Sequence, residues 1–334
     1  MNKTIIFFLT LIILLLAGCK LNSNKTFKND NIPSDIKIKI VQLDNHIIKA
    51  IKTNNLENLK HVFSDKLIEK VGQEKIDSIF NITNQILFDK DFKYKDQIYI
   101  ENTTKNVSNT IFSGLTDDYD YIIHYQALNK KMFISMLLPK DTEDELLITL
   151  IYGLYGDEWK LNIFQFGQYS IFNKTAIDYL KNAQVDFENG YLIDAANNLF
   201  VGQQCLKPAD QFLQYQKEKD FIDLQQKVMT KLNSTYTFPL TLDKVSTKPQ
   251  IFNIHPQRID LGNFPMIRYY SKLSLKDTIN LKKENLEIQK VIGEVFKGID
   301  KNKKFVFYWA FDELPDGTIK ERKHYGFVQE IENE

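Results

Sequence analysis

Cysteine is nearly absent: the 334 residues hold two, Cys19 and Cys205, so no cysteine pairs exist from which a zinc site is built. Arginine is almost as scarce, at positions 258, 268 and 322 only, and lysines supply the remaining positive charge. They are interspersed with acids to a formal net charge of +0, which leaves no basic stripe for a phosphate backbone and argues against a nucleic-acid partner. His-Glu-x-x-His, Gly-x-Ser-x-Gly and a phosphate-cradling glycine loop are all missing. The five histidines, His46, His61, His124, His255 and His324, fall one per element with no ligand spacing. No metal or cofactor is therefore expected.

What is present is ordinary globular material, 43% hydrophobic and long enough for two or three domains. At the N-terminus, Met1 to Thr4 gives a short positive start, and Ile5 to Leu16 is an apolar run of about twelve residues, the core length of a secretory signal. A membrane-spanning helix needs about twenty. Leu16-Ala17-Gly18-Cys19 follows, and here the chain resembles bacterial lipoproteins through their lipobox. The resemblance implies cleavage before Cys19, with a diacylglycerol on its thiol and an acyl chain, such as palmitate, on the new amino group. Several chains at ~0.8 kcal/mol per buried methylene make release from a bilayer negligible. An uncleaved anchor, or an ordinary signal with a chance cysteine, is the competing reading. Lys20 and Leu21 are neither an aspartate retention signal nor an acidic export signal, so the expected location is the outer membrane, facing the periplasm. With Cys19 lipidated, Cys205 has no partner within the chain and reads as a small buried apolar residue.

Residues 1–18 thus read as signal peptide and 19–35 as a polar, flexible tether reaching roughly 20 Å. From 36 to about 88 the apolar spacing is helical, with breaks at Asn54-Asn55 and Gly72. From 95 onward, short runs rich in Ile, Tyr, Phe and Thr predict strands over 97–101, 109–113, 119–128, 131–138, 145–155 and 159–169, joined as an antiparallel meander. Helices followed by such a sheet predict an α+β domain over 36–172. Its element order and the turn Gly156-Asp157-Glu158-Trp159-Lys160 resemble the cystatin-like cone shared by nuclear transport factor and ketosteroid isomerase. That fold hosts catalysts and plain binding modules alike.

Over 173–235 helical spacing returns. Tyr179, Ala183, Val185, Phe187, Gly190, Ala195, Leu199 and Gly202 resemble one tetratricopeptide repeat, although Asn182 stands where that family has leucine and Pro208 falls one place late. Helices that merely pack and a peptide-binding groove are both compatible with this pattern. Pro239 and Pro249 bracket a loop, and 236–334 predicts a small β-α-β-β unit. Its strand at 265–275 precedes a helix at 278–297 capped by Asp277 or Thr278, and a hairpin turns at Pro315-Asp316-Gly317.

Two sets of residues are candidates for chemistry. Asp120 and His124 share one face of a strand at the cone mouth and Tyr121 and Tyr125 the other, a placement suited to a ligand pocket or a general base. The same alternation is expected of any amphipathic strand. At the C-terminus, Arg268, Asp312, Arg322 and His324 could bind an anion or hydrolyse an ester, with Arg322 and His324 predicted on one strand face. Cross-strand charge pairs explain these residues equally. The combined expectation is a non-enzymatic, lipid-anchored envelope lipoprotein that binds or adapts within a complex through a protein partner. The alternative is a small-molecule-binding protein or hydrolase using the 36–172 pocket or the C-terminal face.

Overall fold

A computed structural model describes residues 24–59, 61–316 and 322–331. The signal, the lipobox and Cys19 lie outside the described residues. In chain order the elements are β1 (Lys25–Lys28), α1 (Ser34–Thr53), α2 (Asp65–Val71), α3 (Gln73–Leu87), β2 (Phe92–Glu101), β3 (Ser108–Phe112), β4 (Tyr121–Gln126), β5 (Lys131–Pro139), β6 (Glu145–Tyr155), β7 (Glu158–Ile171) and β8 (Lys174–Thr175). There follow α4 (Ala176–Glu188), α5 (Leu192–Gln204), β9 (Leu213–Tyr215), α6 (Glu218–Thr235), β10 (Leu240–Thr241), β11 (Gln250–Ile259), β12 (Gly262–Tyr270), α7 (Thr278–Val295), β13 (Phe305–Phe311) and β14 (Tyr325–Glu330). The fold class is α+β. Among the described residues no helix is long and apolar enough to cross a membrane.

The described residues separate into two compact units: those within 1–109, 125–140 and 148–165 form one, and those within 110–124, 141–147 and 166–334 the other. The helices of 173–235 and the C-terminal sheet, expected as separate pieces, therefore belong to a single unit.

In the first unit, α1 buries Ile40, Asp44, Ile47, Ala50 and Ile51, one helical stripe, and α3 buries Ile76, Phe80, Thr83 and Leu87. Asn54, left-handed at φ 48°, ends α1, and Gly72 at φ 82° separates α2 from α3. Both stand where breaks are expected. Asp44 is fully buried among apolar side chains and accepts hydrogen bonds from the hydroxyls of Tyr152 (2.6 Å), Ser135 (2.7 Å) and Tyr94 (2.9 Å). Burial nevertheless pushes its carboxyl up to about 6, against the pull of those three donors.

Two expectations change here. The tether does not run to Asp35: Lys25–Lys28 pairs antiparallel with β2, Lys25 opposite Glu101 and Lys28 opposite Ile98, and Ile32 is buried. The backbone of this polar stretch gains a ladder, and Phe27 stacks on Tyr99 at 5.6 Å. Nor is the sheet a simple meander. Its order is β1-β2-β5-β6-β7-β8, so β2 pairs directly with β5, while β3 and β4 leave it to form a three-stranded sheet with β9. The segment 213–215, read as helical, supplies that third strand, Tyr121 facing Tyr215 and Ile123 facing Leu213.

The second unit holds the helical hairpin. Thr175 and Asp178 form a reciprocal capping box at the start of α4. Gly190, at φ 77°, turns the chain into α5. At Gly202 a Cβ would stand 2.7 Å from the Tyr179 Cβ and 2.9 Å from the Phe221 ring, so only glycine lets these helices approach. Cys205 is a free, buried thiol whose pKa burial pushes up to about 12.

The C-terminal sheet runs β10-β11-β12-β13-β14. β12 and β13 are parallel, with α7 as the crossover, whereas β11–β12 and β13–β14 are antiparallel. Asp277 caps α7, as one of the two expected residues, accepting from the Asn280 amide at 3.2 Å. One sheet face, carrying Ile251, Ile267, Tyr269, Val306, Tyr308 and Ala310, packs on Leu281, Ile288 and Ile292 of α7. The strands β10 and β11 are additions to the expected β-α-β-β unit.

Candidate functional site

The cone-mouth residues are each committed to structural partners. Asp120 precedes β4 and holds a turn: it accepts from Ser113 Oγ and from the amides of Thr116 and Asp117, all at 3.0 Å. Its carboxylate fills the space at Gly114, where a Cβ would lie only 2.4 Å from it. His124 Nε2 lies 2.9 Å from Gln214 Oε1. Tyr121 is buried, and Tyr125, also buried, donates to Asn102 Oδ1 at 3.0 Å.

The C-terminal residues meet only in part. Arg268 lies over the Trp309 ring at 5.0 Å, coming from β12 on one side of β13. His324 stacks on the same indole at 3.9 Å and comes from the β14 side. The Arg268 Nε is buried without a hydrogen-bond partner. Arg322 bonds to Asp316 instead, and Asp312 is exposed and makes no hydrogen bond or ion pair with a described residue. Arg322 and His324 are not on a strand face as predicted, because β14 begins at Tyr325. The register with β13 starts opposite Ala310, so the residues before Tyr325 lie beyond the ladder.

A further cavity, missed in the sequence, lies within the second unit. Residues Ile193, Ala196, Asn197 and Phe200 are spaced i, i+3, i+4, i+7 on α5, and Gln225, Met229 and Leu232 are spaced i, i+4, i+7 on α6. With Phe238 and residues 252–256 of β11 they line a groove of about 500 Å³. Ile193, Leu199 and Leu232 form a buried floor, and Phe200 (59% exposed) and Met229 (44%) stand at its rim. β10 pairs with β11 only at Gln250 and Ile251, so from Phe252 onward the edge of β11 away from β12 pairs with no strand among the described residues. Among the described residues no carboxylate, lysine or arginine lines the groove. His255, 2.9 Å from Asn253 Oδ1, is held neutral by burial and by the Arg268 charge, which lower its imidazole to about 4. Enclosed size and uncharged lining suit an apolar ligand.

Beside α5 lies a second, polar cleft of about 350 Å³ in the same unit. In it Asp194 pairs with Lys303 at 2.8 Å, both nearly buried at 14% and 11% exposure, and Asn198 donates to Asp186 at 2.8 Å. Burial raises both carboxyls, Asp194 to about 6. Asn182, the departure from the repeat pattern, lines this cleft. The run of asparagines at 182, 197 and 198, poor helix formers inside helices, was the one available signal.

Among the described residues no group of three or more His, Cys, Asp or Glu side chains is placed to hold a metal. No protein family, curated protein or solved structure matches the chain.

Proposed function

We propose that this chain is a lipid-anchored binding protein of the bacterial cell envelope, held through Cys19 at the outer membrane and facing the periplasm. It takes an apolar ligand into the groove between α5, α6 and β11 and serves an envelope partner without turning the ligand over. The groove carries the binding half of this reading: it has a ligand-sized volume, a buried apolar floor, no carboxylate, lysine or arginine among its described lining residues and two apolar residues held at the rim. Leu16-Ala17-Gly18-Cys19 supports the anchoring half.

Uptake of a neutral, environment-sensitive dye such as phenylnaphthylamine tests the first half. Saturable one-to-one binding is expected, with loss in Ala196→Trp, which fills the groove from α5. Saturation unaffected by that variant would place the dye elsewhere and sink the assignment. Anchoring is read from incorporation of labelled palmitate, and its persistence in Cys19→Ala would overturn it. Crosslinking in intact cells, with the same variant as control, would return the envelope partner only from the anchored protein.

A further inference from the structure

The groove and the polar cleft share two lining residues, Asn197 of α5 and Pro256 of β11. They therefore open onto the same stretch of helix and strand. One side of this stretch is lined by Ile193, Phe200 and Met229, the other by Asp186, Asp194, Asn182 and Lys303. We propose that the two form one site for a single amphiphile, with its hydrocarbon in the groove and a hydroxyl-bearing head group in the cleft. The proposal rests on the binding function above and names its ligand class.

The cleft is of mixed charge, with Lys174, Lys301 and Lys303 beside Asp186 and Asp194. The cleft's aspartates already have partners, Asp194 in Lys303 and Asp186 in the Asn198 amide. A hydroxyl asks for no counterion. It both donates and accepts, as do the side-chain amides of Asn182, Asn263 and Asn302 that line the cleft. Tyr191 and Phe264 add ring faces against which the C–H face of a sugar can lie.

The junction carries the most specific observation. Asn197 lines both spaces, and its Nδ2 is buried with no hydrogen-bond partner. A buried amide donor left unmade is destabilising unless something supplies an acceptor. An ether or glycosidic oxygen joining head to tail is an acceptor without a proton, placed where the polar and apolar parts of such a molecule meet. A simple hydrocarbon satisfies the groove and leaves Asn197 unpaired. A free sugar satisfies the cleft and leaves the groove empty.

Photolabelling of the full chain in native membranes tests this. Two probes carry the same diazirine-bearing decyl chain, one as the glucoside and one as the plain hydrocarbon. Both are expected to label peptides from α5, α6 and β11 saturably, the glucoside at a concentration about tenfold lower, as one further well-made hydrogen bond implies. Asn197→Leu, close in volume, should abolish that advantage and leave the hydrocarbon labelling unchanged. Asn182→Leu, on α4, provides the same reading should the first variant fold poorly. Equal labelling by both probes would overturn the amphiphile and leave the apolar groove standing, and so would a glucoside advantage that survives both substitutions. Absence of saturable labelling by either probe would overturn the groove itself.

Discussion

Replacing Asp44 by asparagine isolates the energetic consequence of a carboxyl group buried in the first unit. The folded carboxyl titrates near pH 6 because it is cut off from water, and in the unfolded chain it returns to an ordinary value near 3.8. Between those values the folded protein holds a proton that the unfolded chain has released, so stability falls as pH rises. The contribution is complete below the unfolded value and is lost once pH has passed through the folded one. A separation of about two pH units amounts to about 3 kcal/mol. Asparagine keeps a carbonyl for Tyr152, and the hydroxyls of Ser135 and Tyr94 can rotate to accept from its amide. The difference in unfolding free energy, Asp44→Asn variant minus parent, should then rise by about 2–3 kcal/mol from pH 4 to pH 7, other titrating groups cancelling. Urea unfolding over that range, in a Trp309→Phe background so that buried Trp159 alone reports on the unit containing Asp44, measures it. A difference that stays flat with pH, or that falls, would refute a raised carboxyl pKa and with it the account of burial outweighing three hydrogen bonds.

Two further substitutions probe the scaffold. Gly202→Ala should cost about 1–3 kcal/mol, because its methyl meets Tyr179 and Phe221 inside van der Waals distance and the helices must separate; an unchanged urea midpoint followed at Trp309 would contradict this. Asp120→Ala leaves the amides of Thr116 and Asp117 without their acceptor, so their hydrogen exchange should quicken by about tenfold for the loss of one such bond. Equal exchange in both proteins would show that the turn does not depend on Asp120.

The helices of the first unit were legible because their cues are local. The apolar stripe of α1 and the breaks at Asn54 and Gly72 lie within a few residues of what they determine. Strand pairing was not, since the removal of β3 and β4 to join β9 depends on Leu213 and Tyr215, some ninety residues away. β1 was hidden by composition: a polar stretch can hold a ladder when only its backbone and Phe27 are needed. β11 was masked by Pro256, a residue that reads as a strand breaker but sits on an edge that β10 leaves unpaired. Of the candidate site residues, Arg268 and His324 do converge, on Trp309, whereas Asp120 resembled a general base only because a turn-holding carboxylate and a catalytic one are the same letter in a sequence. The groove could not be read at all, since Phe200, Met229 and Phe252 come from three elements and look like ordinary core residues one by one.

The pairing of Lys25–Lys28 with β2 also fixes the length of a leash. Only Lys20 to Asn24 separate the proposed lipid-bearing Cys19 from the first strand, and even drawn out fully those residues reach no more than about 18 Å. A protein on a longer cord would sample the whole depth of the space beneath its membrane. If Cys19 bears lipid as proposed, the fold would stay close to the bilayer surface, and glycine and serine inserted ahead of Asn24 would enlarge its territory while leaving the bonds of Asn24 to Thr103 and Asn109 in place.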